Sequence, residues 1–160
     1  MGDVLLVLMR WLHIVPAAIA IGGVFFMRIV LPAGIAGLPD EQRGEVFLRC
    51  RRVFKMVIHS CIALLLLSGI INTLRLWDLY KQNAPVMHGL WGPHVLLALV
   101  VFGISIWLLK GTAPPASHRT WSMVNLVLLL TLVAVAGMLK AEREKQLAKD
   151  PGMHKDVRQP

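Results

Sequence analysis

Four long apolar stretches, separated by segments rich in proline, glycine and charge, constrain this chain more than any other feature of its sequence. An α-helix needs about 20 mostly apolar residues to cross the hydrocarbon core of a bilayer. The sequence predicts such spans at about residues 4–31, 53–77, 90–109 and 121–139, and a charged tail at 141–160. Short connections make neighbouring helices antiparallel. We therefore predict an all-α, integral membrane, up-down four-helix bundle over residues 1–140, with both termini on the same side.

The composition and the net charge narrow the class of protein further. Hydrophobic residues make up 56% of the chain and charged residues only 16%, whereas soluble proteins average about 25% charged residues. A net charge of +8 would indicate nucleic-acid binding in a soluble chain, but here the basic residues flank the predicted spans. We therefore predict a protein of the bacterial inner (cytoplasmic) membrane, with the lipid bilayer and no nucleic acid as partner. Basic residues divide almost equally between the two sides, so the positive-inside rule does not orient the chain.

The interiors of the predicted spans contain no Asp or Glu and few other ionisable side chains, chiefly Arg10, His13, His59 and His94. An ionisable residue inside a membrane carries an insertion cost, so each one is a functional hypothesis by default. The missing carboxylates argue against a proton pump, a catalytic carboxylate pair and a Ser–His–Asp triad. Histidine between apolar walls is instead typical of a haem site, because haem iron accepts imidazole as an axial ligand.

His13 and His94 lie at matching depths, and this register predicts that they share one iron. We name the side on which the first and third spans begin face A, and the opposite side face B. Trp11 and Trp91 are natural interfacial anchors at face A, and each histidine follows its tryptophan by two or three residues. That spacing is roughly 3–5 Å of helix. We therefore predict that His13 and His94 ligate one haem b from opposite sides.

Other residues near face A suit the remaining parts of a haem. Arg10 lies one turn before His13, and Arg75 ends the second span at the same face. Both are predicted to pair with haem propionates, since arginine binds carboxylates well. Gly69 lies at a comparable depth and would let a flat macrocycle lie against the backbone of the second span. We therefore predict cofactor contacts from Arg10, Arg75 and Gly69.

A second haem near face B is an open alternative. His59 lies a few residues into the second span, with Lys55 one turn earlier. The ligand on the other side of the iron from His59 would be His118 or a methionine such as Met27 or Met123. In this alternative His59 and His118 ligate the metal and Lys55 contacts the cofactor. The plainer alternative is that both histidines are hydrogen-bonded or solvated, as lone histidines near span ends commonly are.

Short motifs at the starts of three spans resemble those of two related groups of membrane proteins. They are Trp11-Leu12-His13 with Gly22-Gly23 and Phe25-Phe26, then Trp91-Gly92-Pro93-His94, and residues 119–125, which run from Arg to Asn. The motifs are similar to those of HemJ-type protoporphyrinogen oxidases and of CopD-type proteins linked to copper resistance. The resemblance implies a four-helix, haem-binding integral membrane protein in which His13 is an axial ligand.

Two departures from the HemJ-type pattern shape the functional prediction. That pattern carries Lys near the position of His94, and an acidic residue where this chain has Leu126. The differences favour a bis-histidine haem b that passes electrons to a redox partner or quinone. A homo-oligomer is a further possible partner arrangement of the chain. One alternative is a HemJ-like protoporphyrinogen oxidase, which would make the chain an oxidoreductase enzyme. Another is a CopD-like copper-handling or scaffold protein without haem.

Overall fold

A computed structural model describes residues 2–75, 77, 81, 87–110 and 115–149 of the protein, and these are helical except for the turn at residues 35–39. These residues contain no β-strand. The elements are α1 (Gly2–Phe25), a π-turn (Phe26–Val30), α2 (Leu31–Gly34), α3 (Asp40–Arg75), a second π-turn (Met87–Trp91), α4 (Gly92–Lys110) and α5 (Pro115–Lys149). The all-α class predicted from the sequence is confirmed for these residues.

Four segments of the described chain are long and apolar enough to cross a membrane: Val7–Gly34, Asp40–Arg75, Gly89–Lys110 and Ser117–Lys145. Each coincides with most of one span predicted from the sequence. In the most apolar window of each segment, only between 11% and 22% of the residues are buried inside the protein. A soluble monomer rarely exposes so much contiguous apolar surface. Length, composition and outward apolar faces therefore fit contact with a lipid bilayer.

Both π-turns end two residues before a proline. Pro32 and Pro93 lack a backbone N–H, and in a regular α-helix each ring would clash with the carbonyl four residues earlier. The wider turn accommodates the ring, and at the end of the first π-turn an N–H donates to a carbonyl five residues back. Such turns are frequent at functional positions. The first π-turn has Arg28 at its centre, and the second lies just before His94.

α3 begins at Asp40, well before the second predicted span, and includes the basic residues 43–55. Its first turn contains two carboxylates, which are favourable beside the positive end of the helix dipole. Arg43 fixes the preceding loop, because its Nη2 donates to the carbonyls of Ala36 and Leu38 at 3.1 and 3.0 Å. The connection from α2 to α3 is therefore a short, hydrogen-bonded turn.

The fourth predicted span continues into a charged helical extension, since α5 ends at Lys149. Lys145 lies 3.4 Å from Glu142, and Lys140 lies 3.7 Å from Glu144. These spacings support a helix, so the predicted tail is helical over residues 141–149. The breaks predicted at 83–85 and 111–114, and the tail over 150–160, lie outside the described residues.

The helices pack around a small apolar core to which α1, α3 and α4 contribute. Its buried cluster consists of Ala20, Ile58, Cys61, Ile62 and Leu109. α1 packs chiefly against α3 and α4 against α5, with lesser contacts between α1 and α5 and between α3 and α4. Contacts between α1 and α3 pair in opposite order, because His13 meets Ser68 whereas Gly23 approaches Phe54. Because α1 and α4 each pack against α3 and α5, they lie diagonally across the group of helices.

Candidate functional site

His13 is a half-buried residue of α1 whose ring is held by a buried serine of α3. The Nδ1 of His13 lies 2.8 Å from the Oγ of Ser68, which has no solvent exposure. The Ser68 hydroxyl donates its hydrogen to the carbonyl of Leu64 at 2.7 Å. A hydroxyl has a single hydrogen, so with that hydrogen on the Leu64 carbonyl, Ser68 accepts from the Nδ1–H of His13. The Nε2 of His13 then keeps its lone pair, which is the form that ligates a metal.

His94 is half-buried on α4, across the group of helices from α1. Its Nδ1 is buried and has no hydrogen-bond partner within the described part of the chain. Trp91, three residues before His94, contacts Thr73 of α3, five residues after Ser68, so His94 lies towards the same end of the helices as His13. That the two histidines share one iron stays a prediction.

Gly69 follows Ser68 in α3 and lies beside the His13 ring. A Cβ added at Gly69 would lie 3.7 Å from the Cε1 of His13. That distance is an ordinary van der Waals contact, so the glycine leaves the width of one side chain open next to the imidazole. Gly69 therefore lies beside His13, and its contact with a cofactor stays a prediction.

The predicted propionate partners lie exposed at the same end of the protein. Arg10 precedes His13 by one turn in α1, and Arg75 occupies the last turn of α3. The rim between them is aromatic: the indole Nε1 of Trp91 donates to the Oγ1 of Thr73 at 3.3 Å. Cationic and aromatic groups therefore border the histidine pair at face A.

The histidines near face B are arranged differently. His59 is exposed, and its Nδ1–H donates to the carbonyl of Lys55 at 2.6 Å, within its own helix. The Lys55 side chain is also exposed, whereas His118 lines an internal cavity. The structure records no hydrogen bond between His59 and His118 among the residues it describes. The second haem with these two ligands stays a prediction.

Sequence reasoning missed Ser68, although it is the group that orients His13. The available signal was a serine directly before Gly69 in an otherwise aliphatic run, at the depth of His13. No group of three or more His, Cys, Asp or Glu side chains that could hold a metal occurs in residues 2–149 as far as they are described.

These features define a class of protein: all-helical, with membrane-length apolar segments and two half-buried histidines near one end. A similar chain is an uncharacterized protein of Aquifex aeolicus (strain VF5), 25% identical over 131 residues. The similarity covers 79% of this chain and 89% of that protein. No protein-family model matches the chain, and no solved structure matches it. The name of the relative assigns no activity, so function is argued from the site.

Proposed function

We propose that the chain is an integral membrane protein that crosses the bilayer four times as an up-down bundle. Two edge-to-face tryptophan pairs support this proposal: Trp77 and Trp91, with ring centroids 6.3 Å apart, and Trp107 and Trp121, at 6.0 Å. Tryptophan is enriched at both membrane–water interfaces. From Trp91 to Trp107 the helix rises by about 24 Å, which approaches the hydrocarbon thickness of about 30 Å.

The order of contacts between α1 and α3 supports the up-down arrangement, because it requires the two helices to run in opposite directions. In that arrangement both termini lie at face A. The helical spans, together with a similar chain from a bacterium, favour the bacterial inner membrane as the location. The outward apolar faces would contact lipid and, in a homo-oligomer, a second copy of the chain.

Within this bundle we infer electron transfer through a haem b held by His13 and His94. The observation that carries the inference is the 2.8 Å contact between His13 Nδ1 and Ser68 Oγ. Metal-ligating histidines almost always donate their other ring N–H to an oxygen, which fixes the tautomer and orients the ring. Ser68 supplies that oxygen from the interior of the protein.

The residues at face A fit a haem group. His94 has a buried, unpartnered ring nitrogen, and the interiors of the predicted spans contain no Asp or Glu. A bound haem b would supply a one-electron iron couple. His13 and His94 would hold the iron of that group, and an iron held by two imidazoles would favour electron transfer over binding of a small molecule.

Each remaining residue at face A has a supporting role in the proposal. Gly69 keeps space free beside the His13 ring, and Ser68 holds that ring by its Nδ1–H. Arg10 and Arg75 would pair with the propionates at the membrane edge. A quinone or a redox protein would exchange electrons from the same side, since face A exposes the edge of the site.

Redox-difference spectroscopy of the purified protein, with haem quantified per chain, tests the proposal. We expect a Soret band, sharp α and β bands on reduction and one haem per chain. His13→Ala and His94→Ala should each abolish the low-spin spectrum, because each removes an axial ligand. Added imidazole should restore part of the spectrum to His13→Ala, which would separate loss of a ligand from loss of the fold.

His59→Ala is the matched histidine variant for this experiment, because His59 is exposed and bonds to its own helix. We expect it to keep the full haem content. Two haems per chain, with half lost in His59→Ala, would replace the single-haem proposal by the two-haem alternative. A colourless protein purified from haem-replete cells, or an unchanged low-spin spectrum in both His13→Ala and His94→Ala, would contradict the proposed site.

A further inference from the structure

A second polar feature lies at face B, at the opposite end of the core from the histidine pair. It is a cavity of about 140 Å³ between the first π-turn, α3, α4 and α5. Its polar lining consists of Arg28, Arg51, Ser105, His118, Ser122 and Asn125. The volume is several times the roughly 30 Å³ that one water occupies in the liquid, so the cavity has room for a small polar group.

The charges around this cavity are unbalanced. Arg28 and Arg51 both line it, and none of its lining residues is Asp or Glu. Arg51 donates from Nη2 to the carbonyl of Leu108 at 3.2 Å, which holds its guanidinium in place. The Nε of Arg28 is buried and has no hydrogen-bond partner in the described residues. Two cations without a carboxylate form a site that an oxyanion would neutralise.

Asn125 adds a second unpartnered polar group to the same cavity. Asn125 is only 2% exposed, and its Nδ2 donates to the Oγ of Ser105 at 2.9 Å. Its Oδ1 is buried without a partner among the residues described. Oxygen and nitrogen of an amide are assigned from the hydrogen-bond network. As assigned, the leftover atom is an acceptor, which would pair with a hydroxyl of a ligand and not with its anionic oxygens.

The cavity adjoins an open groove on the outer surface, between the end of the first span and the start of the fourth. The groove has a volume of about 980 Å³ and shares Arg28 and Pro32 with the cavity. Arg119 lies at its polar end, and the rest of its lining is mostly apolar: Ile29, Met123, Val124, Val127 and Leu128. An elongated apolar chain attached to an anionic group would therefore match both features.

We propose that the cavity and groove together bind an anionic phospholipid, with its phosphate between Arg28 and Arg51 and an acyl chain in the groove. The proposal rests on the membrane insertion proposed above but not on haem binding. Charge complementarity selects an anionic headgroup, because a zwitterionic headgroup brings its own cation. Arg28 joins the two parts of the site, since it lines both the cavity and the groove.

The test is a titration of the detergent-purified full chain with dioctanoyl phosphatidylglycerol, followed by thermal unfolding and by native mass spectrometry. We expect saturable stabilisation and retention of one lipid per chain. Arg28→Gln and Arg51→Gln should each weaken binding by about tenfold or more, since each loses a charge-assisted hydrogen bond. The lipid affinity of Arg28→Lys should lie between that of the two glutamine variants and that of the native chain. Arg52→Gln, a neighbouring exposed arginine outside the cavity, should bind as the native chain does.

Dioctanoyl phosphatidylcholine and inorganic phosphate complete the titration. Equal stabilisation by phosphatidylcholine would overturn the charge-selective site, and equal stabilisation by phosphate alone would overturn a lipid as its source. Unchanged affinity in both Arg28→Gln and Arg51→Gln would overturn the assigned residues. The lipid-free unfolding temperature and the haem spectrum of the same variants should match the native chain, which separates failure here from failure of the haem proposal.

Discussion

Ser68 illustrates how one buried hydroxyl can determine the chemistry of a neighbouring side chain. Its oxygen lies 2.7 Å from the carbonyl of Leu64 and 3.3 Å from that of Leu65, and with its hydrogen on either carbonyl it acts as an acceptor towards His13. His13 must then carry its proton on Nδ1 and present the lone pair of Nε2. A hydroxyl that rotates freely could donate to or accept from Nδ1, so both tautomers of His13 would be available. A serine whose hydrogen is bonded to its own helix backbone favours the tautomer with the proton on Nδ1.

Ser68→Ala should weaken haem binding while leaving the fold intact. The variant removes the acceptor for the Nδ1–H of His13, and loss of such outer partners typically costs about 10–100-fold in metal affinity. Titration of the apoprotein with haem, read at the Soret band, measures the change. Thr131→Ala is the control: the exposed Thr131 bonds to the carbonyl of Val127 at 3.0 Å, a back-bond of the same kind. Equal affinities in the two variants would contradict the role of Ser68.

Gly23→Ala should destabilise the protein, whereas Gly22→Ala should not. A Cβ at Gly23 would lie 2.7 Å from the Cε2 of Phe54, and Phe54 packs against the buried apolar cluster. The ring can move only by disturbing that packing, which costs about 1–3 kcal/mol. A Cβ at Gly22 meets nothing within 4 Å.

Detergent unfolding monitored by circular dichroism distinguishes the two glycine variants. Gly22→Ala should change the free energy of unfolding by less than about 1 kcal/mol, in the direction of greater stability, because alanine favours the helix. A Gly23→Ala protein as stable as Gly22→Ala would mean that Phe54 is not fixed against α1.

At the scale of helices, the sequence predicted the elements whose position depends on hydrophobicity, namely the four spans. Each span is an apolar run of the length that a bilayer requires, so its existence and helical type could be read directly. The start of α3 at Asp40 was less direct: residues 43–55 are too polar for a span, and their apolar positions at helical spacing fitted either an interfacial helix or a basic turn that starts the helix. Local bonds extend the helix there, such as the 2.6 Å ion pair between Arg49 and Glu45. Such bonds leave little signal in hydropathy.

Some residues of the candidate sites could likewise be predicted from the sequence, and others could not. His13 and His94 could be found from sequence because an ionisable residue in an apolar run is conspicuous, and nearby tryptophans report its depth. Ser68 could not, since a serine in such a helix usually bonds only to its own backbone. The cavity at Arg28 depends on the π-turn before Pro32 and on packing between helices distant in sequence. Those are properties of the assembled fold.

The pairing of α4 with α5 includes one buried side-chain hydrogen bond whose strength can be measured. Asn125 donates to Ser105 at 2.9 Å, and hydrogen bonds between membrane helices average about 0.6 kcal/mol, with a maximum near 1.7 kcal/mol. A double-mutant cycle with Asn125→Ala and Ser105→Ala should therefore give a coupling energy of about 0.6 kcal/mol. Unfolding in mixed micelles without added lipid measures it. A coupling of zero would show that the two helices do not meet at this bond.

At the scale of the whole molecule, the two buried polar side chains among the described residues lie at opposite ends of an apolar core. Ser68 belongs to the histidine pair at face A, and Asn125 belongs to the cationic cavity at face B. A tryptophan pair accompanies each end. In a membrane, the proposed haem site would lie near one surface and the proposed lipid site near the other, so that face B would be anchored and face A would be open to a partner.

Accessibility of introduced cysteines from the two sides of a membrane tests this arrangement. In a background carrying Cys50→Ser and Cys61→Ala, Ala36→Cys reports face B, whereas Lys81→Cys and Glu144→Cys report face A; all three positions are exposed. A membrane-impermeant maleimide should label Lys81→Cys and Glu144→Cys from one side of sealed vesicles and Ala36→Cys from the other.

Leu130→Cys is the control that separates a spanning helix from a merely exposed one. Leu130 is 55% exposed on the protein surface and lies near the middle of the fourth candidate span. Lipid should cover it in a bilayer, so the impermeant reagent should not reach it from either side until detergent is added. Labelling in intact vesicles would contradict membrane insertion of this helix. Labelling of Ala36→Cys and Lys81→Cys from the same side would contradict the up-down order, because an odd number of crossings must separate those two positions.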